Sequence, residues 1–487
     1  MFDCTLFAKR PCFEFMCRIL SAPVFGHNKR FDYRSELAKG PSSWAWKWSP
    51  DHEPIATEIK ARTMTQDSTL GVLLAGGVGS RLHPLTQDRA KPGVPFGGKY
   101  RIIDFTLSNC YHSGLRQILV LTQYKSQSLQ RHLRDGWSIY NPGIGEYITA
   151  VPPQMRTGES WYVGTADAVY QNLYMLERSN ADRVIILSGD HIYRMDYAAM
   201  IKFHCENFAD ATIACMKVPI KDASEFGVMG VTDENKIVEF LEKPSDPPCV
   251  PDDPEHSLAS MGIYVFSRTL LCRLLREDHE NPKSSHDFGK DILPKLIKTH
   301  EVYGYEFSDN AGRVRGEAYW RDVGTIDAFF EAHMDMLKPN PPLDLYQRDW
   351  SIRTTEKQAP PARTIPGESG IKSEIENAMM GSGVIVSGAN VKNSVLSRNV
   401  RVGESASVHD CVLFDHVRVG ANAKIRNCII DKYVRVPAGE EIGYDLDTDR
   451  ERFTVSENGI TVVPRSYRFE QKQNLKPHKV VSKATVK

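Results

Sequence analysis

The chain has 487 residues, 41% of them hydrophobic and 25% charged, with 61 Lys+Arg against 61 Asp+Glu and a formal net charge of zero. At roughly 100–200 residues per domain this is a protein of two or three domains, and the neutral balance excludes a nucleic-acid-wrapping surface and a disordered chain alike. No apolar run reaches the roughly 18–20 residues of a membrane span, and ten cysteines with no C-x-x-C pair read as thiols of a reducing compartment. The expectation is a cytoplasmic protein that binds neither nucleic acid nor membrane.

Residues 1–63 show no sustained helical or strand period, hold three tryptophans (Trp44, Trp46, Trp48) and are mildly basic. They read as an N-terminal extension; a targeting segment and a true start at Met64 are the alternatives. From Leu70 the pattern sharpens. Leu70 to Ala75, Ile118 to Leu121 and Val184 to Leu187 are short apolar runs that predict strands. Between the last two, Ala166, Val169, Leu173 and Leu176 form a helical stripe with Thr165 as its N-cap. Ile213 to Val218, Lys236 to Leu241 and Gly262 to Phe266 predict later strands of a mixed sheet. Strands alternating with helices predict an α/β domain over 64–340, its ligand site at the carboxyl ends of the strands.

Lys338-Pro339-Asn340-Pro341-Pro342 breaks this pattern and opens a linker over 341–380. Beyond it Val-Arg-Val recurs at 400, 417 and 434, an interval of 17. The same interval links Val391, Val408 and Ile425, and then Leu396, Leu413 and Ile430. Stacking short parallel strands buries such a ladder, so 381–464 is predicted to be a parallel β-helix. Residues 465–487 form a basic tail.

Three segments could carry chemistry. Gly76-Gly77-Val78-Gly79-Ser80-Arg81 follows a strand but is neither a dinucleotide fingerprint nor a P-loop. It is a plain turn or a nest of N–H groups for an anion, to which Arg81 and Lys91 would add two cations. Ser188-Gly189-Asp190-His191 places a carboxylate at a strand end, as a helix cap or, together with Asp322, as a site for a hard divalent cation; His191 reads as a packing residue. Glu242-Lys243-Pro244 follows another strand, with Lys243 a surface cation or a phosphate ligand.

Together these segments resemble the sugar-1-phosphate nucleotidylyltransferases, and more closely the bacterial glucose-1-phosphate adenylyltransferase family. The segments that carry the resemblance are L-A-G-G-V-G-S-R-L (74–82), R-A-K-P (89–92), F-G-G-K-Y-R-I-I-D-F (96–105), W-Y-V-G-T-A-D-A-V (161–169), S-G-D-H-I-Y (188–193), F-L-E-K-P (240–244), S-S-H-D-F-G-K-D (284–291) and Y-W-R-D-V-G-T (319–325). The resemblance runs from about residue 68 to 465. It implies a Rossmann-like mixed-sheet nucleotidyltransferase domain followed by a left-handed parallel β-helix, and transfer of the adenylyl group of ATP to α-D-glucose 1-phosphate for glycogen synthesis. Carried over by residue, Gly76, Gly77 and Gly79 would cradle the nucleotide phosphates, Arg81 and Lys91 would neutralise the leaving pyrophosphate, and Asp190 and Asp322 would hold Mg²⁺. Tyr162, Gly227, Glu242, Lys243 and Ser260 would contact the sugar phosphate or the product. The resemblance also implies a homotetramer controlled by anionic metabolite effectors, with Arg89 and Arg101 at the effector site. Asp88 and Pro95 stand where enteric members carry lysine and histidine, which disfavours fructose 1,6-bisphosphate as the activator. The rivals are a nucleotidylyltransferase of another base or sugar and a non-catalytic regulatory subunit of the same fold.

Overall fold

A computed structural model describes residues 69–154, 161–251, 253–307, 312–314 and 318–469. The extension expected over 1–63 and the tail beyond 469 lie outside the described residues.

Thr69–Ala75 is the central strand, and its unbroken apolar sequence follows from burial on both faces. It pairs in parallel with Gln117–Thr122 on one side and Arg183–Ser188 on the other, and Tyr147–Val151 adds outside Gln117–Thr122. Beyond Arg183–Ser188 the direction reverses. The long strand His256–Ser267 runs antiparallel to it and to Ala211–Pro219 and Gly227–Val231. Ile237–Glu242 and Val302–Glu306 complete a mixed sheet of nine strands. Leu70, Val72, Val184 and Ile186 face Val169, Leu173, Leu176 and Leu271 on one side. Leu73, Ile118, Ile185 and Leu187 face Ile103, Leu107, Met200 and Ile201 on the other. Each predicted strand lies within an observed one except Lys236 to Leu241, where the strand begins one residue later at Ile237, and helices cover both faces.

The predicted helical stripe is instead two helices, Thr165–Tyr170 and Leu173–Arg178. Asn172 interrupts them by donating its side-chain amide to the Ala168 carbonyl at 2.9 Å, competing for an acceptor of the helical ladder. Ala166, Val169, Leu173 and Leu176 still enter one core. The N-cap is Gly164, not Thr165. A Cβ at Gly164 would lie 2.2 Å from the His286 carbonyl oxygen, so only glycine admits this approach of the two loops. The Thr165 hydroxyl is used elsewhere, donating to Asp287 at 3.0 Å and accepting from the Phe288 N–H at 3.1 Å.

The C-terminal repeat forms a parallel β-helix. Val391 pairs with Val408 and Val408 with Ile425, while Val402, Val419 and Val436 align on a second face. The interval of 17 is therefore one coil. Its corners place Asn393, Asp410 and Asn427, then Asn399, His416 and Tyr433, in the left-handed backbone region, which asparagine and aspartate tolerate best after glycine. A further ladder of Val395, Val412 and Ile429 is buried against Phe329 and Phe330, two residues of helix Ile326–Asp335. That apolar contact joins the solenoid to the sheet domain. The connecting chain is stitched down as well. Trp350 donates to Asn109 Oδ1 at 3.1 Å and the Thr354 hydroxyl to Asp104 at 2.6 Å, both on helix Ile102–His112.

Candidate active site

The glycine loop leaves the carboxyl end of the central strand. Gly79 has φ +66°, and a Cβ there would meet Thr86 at 3.0 Å and Lys91 Cβ at 3.1 Å, so this position requires glycine for conformation and for space. The Thr86 hydroxyl holds the loop by donating to the Gly79 carbonyl at 2.9 Å. A Cβ on Gly76 would come within 3.1 Å of Gln123, whereas Gly77 faces open space. Arg81 follows in a short 3₁₀ turn and stays 61% exposed, its guanidinium 3.9 Å from Asp322. Beside the loop, the exposed rings of Tyr124 and Trp161 stack with centroids 5.0 Å apart, a feature that no periodicity in the sequence signals.

Asp190 follows strand Arg183–Ser188 and precedes a second strand, His191–Tyr193, so the helix-cap alternative is excluded. His191–Tyr193 pairs antiparallel with Trp320–Asp322, which sets Asp322 opposite His191 and brings the two carboxylates together. Lys91 Nζ lies between them, donating to Asp190 Oδ2 and to Asp322 Oδ1 at 2.9 Å each. Burial alone would lower the Lys91 pKa, but the charges of Asp190 and Asp322 outweigh it and hold it above the ordinary lysine value. Burial would likewise raise Asp190, yet His191, Lys91 and the Ser188 hydroxyl keep its carboxyl well below the usual range. His191 packs on Trp320 as expected of a packing residue, with ring centroids 4.7 Å apart. It also places Nε2 3.4 Å from Asp190 Oδ1, and ligand atoms of Asp190, His191 and Asp322 lie within 4.8 Å of one another. Two carboxylates that already hold the Lys91 ammonium between them are a donor set that fits a hard divalent metal.

A third group lies at the antiparallel end of the sheet. Glu242 ends its strand with Oε2 where a Cβ on Gly227 (2.7 Å) or on Gly289 (2.8 Å) would intrude, so two glycines make room for one carboxylate. Burial and then the charge of Asp287 raise the Glu242 pKa. Lys243 is exposed at φ +50°, fixed by its N–H to the Phe226 carbonyl at 3.0 Å. Ser260 sits where strand His256–Ser267 shifts register, and its hydroxyl accepts from the Gly262 N–H at 3.3 Å. Tyr162 stands apart from these residues: its ring is in the core and its hydroxyl accepts from Asn172 at 2.9 Å.

The Nucleotidyl transferase family model matches residues 70–339, and the GlmU-like C-terminal hexapeptide model matches residues 360–463. Among similar proteins, Glucose-1-phosphate adenylyltransferase 2 of Vibrio cholerae is 59% identical over 401 residues, covering 82% of this chain and 98% of that protein. Its counterpart in Vibrio vulnificus is 62% identical over 400 residues, covering 82% and 99%. Glucose-1-phosphate adenylyltransferase of Methylobacillus flagellatus is 48% identical over 402 residues, covering 82% and 94%. The chain belongs to the glucose-1-phosphate adenylyltransferase family. The expected fold holds with it, a mixed-sheet nucleotidyltransferase domain followed by a left-handed β-helix.

In this family member the sheet domain, the connecting chain and the solenoid line an open cavity of about 580 Å³. Lys99, Arg101, Arg131, Lys357, Arg398 and Lys432 line it, against the carboxylates of Asp135, Glu356 and Asp415. Arg398, Asp415 and Lys432 are successive rungs at the interval of 17, with Asp415 accepting from Lys432 at 2.7 Å and from Arg398 at 3.5 Å. The repeat period carries that ladder in the sequence beside the apolar one. Burial, more than the neighbouring cations, lowers the pKa of Arg101 and of Lys432, against the opposing charges of Asp104 and Asp415. Arg101 donates to the Ser128 carbonyl at 2.9 Å. Arg89 is not among the residues lining the cavity: its guanidinium donates to both carboxylate oxygens of Asp431 in the solenoid, at 2.9 and 2.7 Å. Among the described residues no helix is long and apolar enough to cross a membrane.

Proposed function

We propose that this chain transfers the adenylyl group of ATP to α-D-glucose 1-phosphate, giving ADP-glucose and pyrophosphate for glycogen synthesis. The identity to proteins of that name over most of both chains carries the reading, and the convergence of Lys91, Asp190 and Asp322 beside the glycine loop supports it. A phosphate oxygen of the sugar attacks the α-phosphorus in line. The bond from that phosphorus to the bridging oxygen breaks, and its electron pair leaves with pyrophosphate. The sugar phosphate is already ionised at neutral pH, so the protein contributes position and charge rather than a nucleophile. The backbone at Gly76, Gly77 and Gly79 receives the nucleotide phosphates, with Gly77 on the open side. Arg81 and Lys91 neutralise the departing charge. Asp190 and Asp322 would hold Mg²⁺, which supplies further neutralisation of the phosphates. Lys243 grips the sugar phosphate, and Glu242, set in its glycine-lined niche beside Gly227, accepts from a sugar hydroxyl. Ser260 and Tyr162 would contact the sugar phosphate or the product, as the family resemblance implies.

The surplus of cations in the interdomain cavity favours an anionic metabolite effector there, bound by Arg101 directly, with Arg89 behind it. A homotetramer in the cytoplasm completes the proposal. Pyrophosphate release from ATP, UTP, dTTP and GTP with glucose 1-phosphate and Mg²⁺ tests it, with ATP expected to dominate. Preference for UTP or dTTP would reassign the base, and no release from any nucleotide would leave a regulatory subunit.

A further inference from the structure

Lys91 occupies ground that a second cation would use. Its ammonium bonds Asp190 Oδ2 and Asp322 Oδ1 at 2.9 Å each, and these are carboxylates a divalent metal would take as ligands. The Lys91 side chain is 9% exposed, while the two aspartates are 31% and 29% exposed, so the carboxylates are open to an incoming ion and the lysine is tucked behind them. An ammonium and a dication on the same oxygens repel, and in a half-buried site water screens that repulsion poorly.

The lysine backbone has little room to yield. Lys91 starts a 3₁₀ turn followed by Pro92, and Arg89, two residues earlier, is anchored on Asp431. The flexible stem can move, and it lies against the glycine loop, since a Cβ on Gly79 would sit 3.1 Å from Lys91 Cβ. A polyphosphate on that loop would therefore compete directly with Asp190 and Asp322 for the ammonium. Arg81 differs: at 61% exposed and 3.9 Å from Asp322, it blocks nothing.

We propose that Lys91 is a resident counter-ion that bars divalent metal from the Asp190–Asp322 pair until a nucleotide polyphosphate draws its ammonium away. Metal and nucleotide then enter together, and metal alone binds poorly. The inference rests on the metal reading of this aspartate pair. Mn²⁺ binding to the full-length protein, followed by the loss of the free-ion electron paramagnetic resonance signal without nucleotide, tests it. Lys91→Met should bind Mn²⁺ at least ~10-fold more tightly than the unmodified chain, because the competing charge is gone. Lys91→Gln, which keeps an N–H donor for the carboxylates, should show the same gain and serves if Lys91→Met does not fold. Lys91→Arg should not show it, and adding Asp190→Asn to Lys91→Met should abolish it. Equal Mn²⁺ affinity in the unmodified chain, Lys91→Met and Lys91→Gln overturns the counter-ion role while leaving the metal site standing. No Mn²⁺ bound by any variant, even with a non-hydrolysable ATP analogue present, overturns the metal reading and this inference with it.

Discussion

The contact between Arg89 and Asp431 ties the loop that carries Lys91 to the solenoid, across 342 residues of sequence. Both side chains are almost fully out of water, at 5% and 1% exposed, and the guanidinium meets both carboxylate oxygens. Removing one partner strands the other charge in a dry interface, a loss of about 3–5 kcal/mol in buried pairs, whereas removing both charges together is often close to neutral. Asp431 Oδ1 also accepts from the Lys432 N–H at 2.6 Å, so asparagine is the better replacement because it keeps an acceptor there. Arg89→Met and Asp431→Asn should each destabilise by about 3–5 kcal/mol, and the double variant by about 1–2 kcal/mol. Urea unfolding followed by tryptophan fluorescence would measure all four proteins, with unchanged m-values showing that the comparison is sound. Two single variants costing under about 1 kcal/mol, or a double variant that costs their sum, would refute the claim that this pair is an uncompensated-charge trap.

Asp190→Asn keeps the shape but loses the charge that holds Lys91 and would hold metal; kcat should fall several hundred-fold, about 3–4 kcal/mol of transition-state stabilisation, and near-normal turnover at saturating Mg²⁺ would reassign the residue. Lys243→Ala should raise KM for glucose 1-phosphate about 10–100-fold and leave KM for ATP nearly unchanged, since an interaction made before and during reaction acts on binding; equal damage to both KM values would return Lys243 to the surface. Burial lowers the pKa of His333 and of His204 to about 4, and His333 uses its neutral Nε2 to accept from the Gly97 N–H at 3.1 Å. Both side chains take up protons more readily unfolded, at about 6.5, so stability is complete above that pH and declines as pH falls towards 4, by about 1.4 kcal/mol per unit for each histidine. Urea midpoints at pH 7, 6 and 5 would show the decline, and His333→Gln should reduce its slope; a midpoint that does not move between pH 7 and 5 would contradict both burial arguments.

What was legible in this sequence was whatever repeats along it. The apolar runs at Leu70, Ile118 and Val184 report strands because burial on both faces excludes polar residues from the whole run. The interval of 17 reports the solenoid because each coil presents the same positions to the same neighbours, as the pairing of Val391 with Val408 and then Ile425 makes visible. The glycine loop was equally plain, since Gly79 stands where a side chain would collide with Thr86 and Lys91. Charged residues outside the repeat carry no period, and there tertiary structure decided. Nothing local distinguishes a capping Asp190 from one facing Lys91 and Asp322, and the distinction arises only when strands His191–Tyr193 and Trp320–Asp322 pair. Asn172 splits a helix that apolar spacing draws as continuous, because its amide reaches the Ala168 carbonyl and the Tyr162 hydroxyl. Arg89 reads as an open anion ligand along the chain and is instead closed on Asp431, because the solenoid folds back over the loop through Phe329, Phe330 and the ladder of Val395, Val412 and Ile429. Periodic burial is a property of the local chain, whereas a charge takes its role from the partner that packing across the whole fold delivers to it.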